Sequence, residues 1–423
     1  MGLSPIGGAF ASVSESGVMG VGLNPAAAKS EHIEGAIDVA LSMYSLGVSL
    51  DAAESVSTSG VSPTPYVAFT MPIGDVGLGA YFMVPYGGGT DFPADGAQRF
   101  HVISTESFLL EGGLSVAYQP VQWMRGGASF RLGQATLTKR AAMNTASLIN
   151  SKTDLSPPLD VTDPLFMGEQ DVDLSGHGYG YGLGLSFFLS GDREVHLAYR
   201  SPMRVPMDGT VSLSPSDSLG LAIDGDAHGA MQFAREVEVG LVLPLGKTRL
   251  SLMAGWVDWS PLKTIEVDLG GLQVSGEQAT AESLIVQSGI NDSGLTDMTL
   301  SILNDLGNGS TFHGGGTIDV PIGEDWVVRT GAFYSPTTLP SEAMHASIVD
   351  FTVVDLRLGA AYTPVEWLTA ALSADYYLIP DRDIDNSSLS LGNSADSGRV
   401  LPSGNGVYTM NAARFGLTLI TRH

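Results

Sequence analysis

The sequence has no cysteine, few charged residues and no long apolar run. The absence of Cys from its 423 residues excludes a disulfide framework and thiol or Cys-ligated zinc chemistry. Asp and Glu outnumber Lys and Arg by 45 to 20, so a basic face for nucleic acid is not expected. No window of 18 apolar residues occurs, which excludes membrane-spanning helices. A chain of this kind can cross a membrane only as a closed sheet, because lipid offers no partner to unpaired backbone groups.

Segments of about ten residues with alternating polarity begin near residue 37 and continue to the end of the chain. In the clearest, 367–379, Leu368, Leu372 and Tyr376 lie on one face, with Ser373 and Asp375 on the other. The polar face of such segments carries full charges at mid-strand: Glu111, Arg125, Arg131, Glu194, His196, Arg200, Arg329 and Arg414. Alternation alone also fits a soluble sandwich, so the connections must decide.

Short and long connections alternate along the chain. The short turns lie at 72–75, 119–122, 190–193, 244–247, 321–325 and 363–366, and the long loops at 50–63, 87–100, 139–176, 205–230, 263–311, 336–352 and 380–409. This predicts fourteen strands, beginning near 37, 64, 76, 102, 122, 177, 193, 231, 247, 311, 326, 353, 367 and 410. Sorting of loops by length is typical of an all-β, transmembrane antiparallel barrel with short periplasmic turns, and a soluble sandwich has no reason for it.

The first 36 residues differ from the rest and lack the basic and apolar regions of a secretory signal. Small residues and Pro25 suit a compact segment in a narrow space, so we interpret 1–36 as a plug inside a barrel formed by 37–423. Because a signal peptide is missing, we expect a processed or trimmed sequence. We also expect a short extension past the last strand, because the chain ends in Ile420, Thr421, Arg422 and His423 rather than on an aromatic residue.

Several motifs occur in a characteristic order. They are Asn24-Pro25-Ala26, the run from Gly79 to Gly87 (GAYFMVPYG), His196–Ser201 (HLAYRS), Trp259-Ser260, and Asp325–Gly331 (DWVVRTG) followed by Ser335-Pro336. In this order the sequence resembles the long-chain fatty-acid outer-membrane transporters (the FadL/TodX family) over essentially the whole chain. The resemblance implies that a hydrophobic molecule binds among extracellular loops, passes above an N-terminal hatch containing Asn24, Pro25 and Ala26, and leaves sideways through a kinked third strand.

The resemblance also implies site residues. The lateral opening falls at Pro85, Tyr86 and Gly87, although this Gly-rich run also fits the start of a loop. Arg140 matches a pocket arginine that would meet a carboxylate, or else is a solvated loop charge, and Asp350 matches an acidic position of the family. Ligand contact is also considered for Arg131 and Arg200, but pairing with Glu111 or Glu194 explains these two equally well.

Apolar residues in the loops 139–176 and 205–230 predict a capture groove, because exposed apolar clusters usually mark binding surfaces. They are Met143, Leu148, Ile149, Leu165, Phe166 and Met167 in the first loop, with Leu219, Leu221, Ile223 and Met231 in or after the second. The 263–311 loop is expected to hold an amphipathic helix over 297–306, and His345 is interpreted as an ordinary loop residue.

The sequence therefore predicts a bacterial outer-membrane channel for long-chain fatty acids or similar hydrophobic molecules. A general porin and a structural or adhesive barrel remain as alternatives. No HExxH or GxSxG motif occurs and no His lies in a nucleophile constellation, so no enzyme, metal or cofactor is expected. Expected partners are the hydrophobic substrate, outer-membrane lipid and lipopolysaccharide, with the protein acting as a monomer and without nucleic acid.

Overall fold

The computed structural model describes residues 12–50, 54–144, 146, 160, 163–216, 221–262, 265–275, 298–303, 309–389 and 403–423. Their regular structure consists almost entirely of strands, with a few short 3₁₀ helices. Among these residues no helix has the length and apolarity needed to span a membrane.

The strands form one antiparallel sheet. In chain order those in the described residues are β1 (Glu34–Leu50), β2 (Val56–Ile73), β3 (Val76–Asp91), β4 (Ser104–Val121), β5 (Met124–Asn144), β6 (Met167–Leu189), β7 (Arg193–Arg200), β8 (Met203–Ser216), β9 (Leu221–Phe233), β10 (Arg235–Leu245), β11 (Thr248–Asp258), β12 (Ile265–Ser275), β13 (Met298–Leu303), β14 (Ser310–Ile322), β15 (Trp326–Ser335), β16 (Val353–Val365), β17 (Leu368–Leu378), β18 (Arg382–Ile384) and β19 (Gly406–Arg422).

Fourteen of these strands close into a barrel wall, as the sequence predicts. The circuit runs β1, β2, β3, β4, β5, β6, β7, β10, β11, β14, β15, β16, β17 and β19, and β19 pairs with β1 to complete it. Most of these strands begin within four residues of the predicted positions, whereas β2 and β6 begin earlier, at Val56 and Met167. Because β19 continues to Arg422, the expected extension past the last strand is wrong.

The six predicted short turns join neighbouring wall strands at one end, called here the turn end. Gly74 and Gly246 occupy two of these turns with φ of 59° and 67°, a conformation that costs glycine little. The opposite end, called the loop end, carries the long connections. In outer-membrane barrels the turn end is periplasmic and the loop end is extracellular.

Several of the predicted loops instead contain strand residues. β5 and β6 extend into the 139–176 region, and the β8–β9 hairpin in the 205–230 region pairs through β8 with the loop-end part of β6. β12 adds to β9, and β13 adds to β12. The helix expected over 297–306 is therefore wrong in its described part, where Met298–Leu303 forms β13. Short apolar runs have no decisive period, so the neighbouring strand decides their structure.

The two faces of the wall differ as a barrel in lipid requires. On β6, Leu183 and Leu189 point outward and each side chain is 49% exposed. The inward face is buried and divides along the barrel axis. The half near the turn end holds buried ion pairs and a smaller apolar cluster around the N-terminal segment, which includes Ala36, Ala117 and Ile420. The half near the loop end holds the loop-end apolar cluster, whose members include Leu46, Leu109, Leu137, Leu174, Met203, Met207, Phe233, Met344 and Phe351.

A charge placed on the outward face tests this orientation. Leu183→Arg lies six residues from the turn end of β6, near the bilayer midplane, and we expect it to lower the free energy of unfolding by about 2–4 kcal/mol. Leu189→Arg is the matched control at the membrane interface, with an expected loss of about 0–1 kcal/mol. Urea unfolding in liposomes measures both, and equal losses would contradict the assigned membrane depth.

Candidate functional site

The N-terminal segment, residues 12–33, is largely buried and folds into two 3₁₀ turns, Gly17–Met19 and Pro25–Ala28. Asn24 caps the second turn: its side-chain oxygen accepts from the Ala26 N–H at 3.1 Å, and its amide donates to the Val13 carbonyl at 3.3 Å. Pro at the first helical position needs no N–H partner, and Asn is a favoured cap. The triplet picked out in the sequence thus fixes the local shape of the segment.

Glycines on the inward face of the wall give this segment its room. A Cβ on Gly184 of β6 would lie 2.0 Å from the Asn24 side-chain oxygen, and one on Gly127 of β5 would lie 2.5 Å from the Ala26 nitrogen. Side chains at these positions would collide with the capped turn. The backbone of the wall and that of the segment can therefore approach closely only because both positions are glycine.

Ion pairs and hydrogen bonds hold the segment from several sides. Glu15 pairs with Arg329 of β15 at 2.9 Å and with Arg249 of β11 at 3.4 Å. On β7, Arg200 donates to the Gly22 carbonyl at 2.9 Å, and the Tyr66 hydroxyl of β2 donates to the Val18 carbonyl. Contacts with strands distributed around the wall place residues 12–28 among lumen-facing side chains.

The wall's hydrogen-bond ladder is interrupted between β2 and β3. These strands pair only from Tyr66↔Met83 to Ile73↔Val76, so 56–65 of β2 and 84–91 of β3 do not pair with each other. We call this stretch the side gap. Pro63, Pro65 and Pro85 lie along it and have no N–H to donate. β3 is also irregular on the side that pairs with β4. The register shifts there between Met83 and Tyr86, so Val84 and Pro85 form a bulge.

Two polar contacts cross the loop-end part of the side gap. The Asp91 N–H donates to the Thr58 hydroxyl at 3.2 Å, and the Tyr44 hydroxyl donates to the Gly89 carbonyl. Side chains therefore join β3 to its neighbours where the backbone ladder is absent.

Tyr86, at the bulge, turns into the lumen. Its ring stacks on Phe233 with centroids 5.3 Å apart and meets Trp259 edge-on at 5.2 Å. Its hydroxyl donates to Glu236 of β10. The side gap thus opens on an aromatic group that packs against the loop-end apolar cluster.

The sequence model of the family described as outer membrane protein transport protein (OMPP1/FadL/TodX) matches residues 21–408. The chain belongs to this family. As a member it is an outer-membrane transport barrel, and the family is one of transport channels rather than of enzymes. Comparison with curated proteins gives no match.

Solved structures similar to this transporter cover almost its whole length. A Pseudomonas aeruginosa FadL homologue has a TM-score of 0.76 and 13% identity, over 94% of this chain and 92% of the other. The P. putida toluene transporter TodX has a TM-score of 0.72 and 14% identity, over 100% and 99%. The Ralstonia pickettii toluene transporter TbuX has a TM-score of 0.68 and 17% identity, over 100% and 98%. At these identities the likeness shows the fold.

The transporter's Arg140 and Asp350 are both held by polar contacts within the chain. Arg140 is on the exposed face of β5, where its Nε donates to Glu169 at 2.9 Å and Asp171 lies at 3.8 Å. A cavity of about 260 Å³ adjoins it. Asp350 is half-buried and accepts from the backbone N–H of Thr338 at 2.7 Å and of Leu339 at 3.2 Å, so it orders the connection before β16.

Arg131 and Arg200 point inward and share Glu111. Arg131 donates to both Glu111 oxygens, at 3.0 and 2.6 Å, and Arg200 donates to both at 3.1 Å. All three side chains are at most 5% exposed. Arg131 and Arg200 therefore form ion pairs with Glu111, as one of the alternatives predicted. Glu194 pairs instead with His196.

The capture-groove residues divide between surface and core. Leu165 is exposed and Phe166 is half-buried beside it, but Ile223 and Met231 belong to the loop-end apolar cluster. The expectation that these last two face water is wrong, because the β8–β9 hairpin packs its apolar face inward. Leu221 begins β9, with its side chain outside the described set. Leu148, Ile149 and Leu219 lie outside the described residues.

Two residues of the site, Glu15 and Glu236, carried no usable signal in the sequence. Their contacts are with residues far away in the chain, which a local sequence pattern does not show. Elsewhere, His345 was expected to be an ordinary loop residue but is only 8% exposed. Period-two counting from Arg131 places Lys139 on the inward row of β5 once that strand is extended.

Removing the shared carboxylate tests the buried ionic cluster. Glu111→Gln leaves Arg131 and Arg200 buried without their anion, and we expect a loss of about 3–5 kcal/mol in the free energy of unfolding. Glu169→Gln makes the same change in an exposed pair and should cost about 0–1 kcal/mol. Urea unfolding compares them, and a Glu111→Gln protein as stable as Glu169→Gln would contradict the cluster's role.

Proposed function

We propose that this barrel takes up hydrophobic molecules and releases them sideways through the side gap into the outer membrane. The interrupted pairing of β2 and β3 beside the loop-end apolar cluster carries the proposal. A break in strand pairing is where a closed sheet offers passage through its wall. A molecule leaving there stays beside the loop-end apolar cluster and does not pass the buried ion pairs.

The N-terminal segment acts in this proposal as a hatch, with residues 1–36 as its extent and 37–423 as the barrel. Contacts of Glu15, Gly22 and Val18 with three different strands support this role, because they hold the segment inside the lumen. Such a segment obstructs the axial route. It also makes the general-porin alternative less favourable, because a porin needs a continuous aqueous path.

A chain of polar contacts joins the side gap to the hatch. The Tyr86 hydroxyl donates to Glu236, Glu236 lies 3.5 Å from Arg200, and Arg200 donates to Gly22. A ligand that displaces Tyr86 would leave Glu236 with one hydrogen bond fewer and change its hold on Arg200. This contact chain provides a physical means by which arrival of substrate alters the hatch.

Two substrate classes fit an apolar lumen: long-chain fatty acids and aromatic hydrocarbons. The toluene transporters of similar fold favour the second, and the FadL homologue favours the first. Capture would begin at Leu165 and Phe166 on the loop end. Further partners in this proposal are outer-membrane lipid and lipopolysaccharide. Divalent cations bound to lipopolysaccharide would attract a protein with a net charge of −25. In this proposal the barrel acts as a monomer.

A structural or adhesive barrel is the second alternative. Such a barrel needs no connection between its lumen and a gap in its wall. It therefore gives no reason for an aromatic side chain to turn from the side gap into the loop-end apolar cluster. Tyr86 has this arrangement, with Phe233 and Trp259 around it. The transport proposal accounts for it.

The hatch can be displaced by one side chain. Gly184→Val puts carbon atoms where the Asn24 side-chain oxygen lies, so we expect a folded barrel with an open lumen. In planar bilayers the wild type should conduct little, and Gly184→Val should conduct at least tenfold more. Gly126→Val, where a Cβ meets nothing closer than 3.5 Å, is the control. Equal low conductance of both variants, with heat-modifiable migration intact, would count against the hatch.

The side gap can be obstructed chemically, because the chain has no native Cys. A Cβ at Gly88, two residues after Tyr86, meets no described atom within 4 Å, so Gly88→Cys should fold normally. Reaction with a bulky maleimide should then reduce cellular accumulation of radiolabelled toluene and dodecanoate at least fivefold. Gly126→Cys, treated alike, should transport normally. Unchanged uptake in fully labelled Gly88→Cys protein would exclude the side gap as the exit.

A further inference from the structure

The side gap has a different boundary at each of its ends. Toward the turn end, the β2–β3 ladder begins with the pair Tyr66↔Met83, so backbone hydrogen bonds close the wall there. Toward the loop end, the described parts of these two strands form no ladder pair, and the Tyr44 hydroxyl donates to the Gly89 carbonyl instead. The loop-end boundary therefore depends on a side chain, which can rotate away without unpairing a strand.

Tyr44 belongs to β1, so its side chain crosses the whole width of β2 to reach β3. In the β1–β2 ladder Tyr44 is paired with Gly60. A Cβ on Gly60 would lie 2.4 Å from the Tyr44 hydroxyl oxygen and 2.7 Å from its ring carbon Cζ, so the ring lies directly over this residue. A larger residue at position 60 would push the ring aside. Contact between Tyr44 and Gly89 thus requires glycine at position 60.

The acceptor lies in a weakly held part of β3. Gly89 ends the run Gly87–Gly89, and glycines inside a strand weaken it because they have no side chain to pack. This run follows the bulge at Val84 and Pro85, where the register against β4 shifts. In the described structure β2 gives the run no backbone hydrogen bond, so the Tyr44 hydroxyl links it to the far side of the gap.

The ring of Tyr44 also borders the space in which a hydrophobic molecule would lie. It packs against the loop-end apolar cluster, as Tyr86 does on the β3 side of the gap. A molecule bound in this cluster competes with the Tyr44 ring for the same apolar surface. The bond that such a molecule must break is weak, since one neutral hydrogen bond changes an equilibrium constant by roughly two- to tenfold.

We propose that Tyr44 is a latch: its hydrogen bond to Gly89 holds the side gap narrow, and its displacement by a bound hydrophobic molecule widens the exit. The inference rests on the proposed release through the side gap and adds the step that controls its rate. Tyr44 is a positioning residue in this proposal, because it acts by holding β3. The contact of Thr58 with Asp91 lies farther toward the loop end and does not reach Gly89.

The experiment measures initial uptake of radiolabelled toluene and dodecanoate by cells with equal amounts of each full-length variant in the outer membrane. Tyr44→Phe keeps the ring and loses the hydroxyl. We expect uptake to rise about three- to tenfold, because one hydrogen bond no longer opposes opening. Gly60→Ala leaves Tyr44 intact, but its Cβ moves the hydroxyl away from Gly89. It should therefore raise uptake to a similar extent.

Tyr408→Phe is the matched control. The Tyr408 hydroxyl also donates to a glycine carbonyl, that of Gly404 at 2.6 Å, but Tyr408 lies on β19, which does not line the side gap. Both Tyr→Phe variants should unfold in urea at similarly lowered midpoints, and only Tyr44→Phe should transport faster. Uptake thus separates a latch from a contact that only stabilises the fold.

Other outcomes overturn the proposal in distinguishable ways. Unchanged or slower uptake in Tyr44→Phe or in Gly60→Ala would contradict the latch. An equal rise in Tyr408→Phe would attribute faster uptake to general loosening of the loop end, which would also contradict it. Full transport by maleimide-labelled Gly88→Cys would contradict the proposed exit itself. Blocked transport in that protein, with no effect of Tyr44→Phe, would contradict the latch alone.

Discussion

The structure depends on the requirement that a sheet in lipid pair its backbone N–H and C=O groups. Closure of β19 onto β1 meets this requirement for the edges of the wall. The side gap between β2 and β3 is a local exception, and the chain limits its cost. Prolines reduce the number of unpaired donors there, and the Thr58 and Tyr44 side chains provide partners for β3 backbone groups. An interruption with such compensation is a stable feature of the wall.

Two kinds of contact occupy different parts of the lumen. Toward the turn end, Glu111 and Glu15 collect arginines from several strands and hold the N-terminal segment with directional contacts. Toward the loop end, contacts are apolar and adaptable, with methionines such as Met203 and Met207 among them. The side gap lies along the loop-end half, beside Tyr86. In the proposed route, a hydrophobic molecule leaves from this half and does not pass the buried ion pairs.

Much of the architecture was predictable. Period-two alternation and turn spacing indicated fourteen wall strands, since burial on one face of a sheet fixes every second residue. The same reasoning directed Arg131, Arg200 and Glu111 inward. It failed beyond the membrane, where β8, β9, β12 and β13 replace predicted loops, because pairing there depends on which edge is available rather than on a lipid-facing pattern. Arg140 is an example: its guanidinium is exposed, whereas the adjacent Lys139 belongs to the inward row of β5.

The sequence by itself determined the class of structure, the number of wall strands and the special character of residues 24–26 and 85–87. These follow from local chemistry: alternating polarity, tight turns, a capped proline turn and missing backbone donors. Only the tertiary structure decided that Tyr86 meets Glu236, that Glu15 meets Arg329, and that His101 meets His345. Closing a barrel brings together residues far apart in the chain, and no local pattern records which of them will face each other across the lumen.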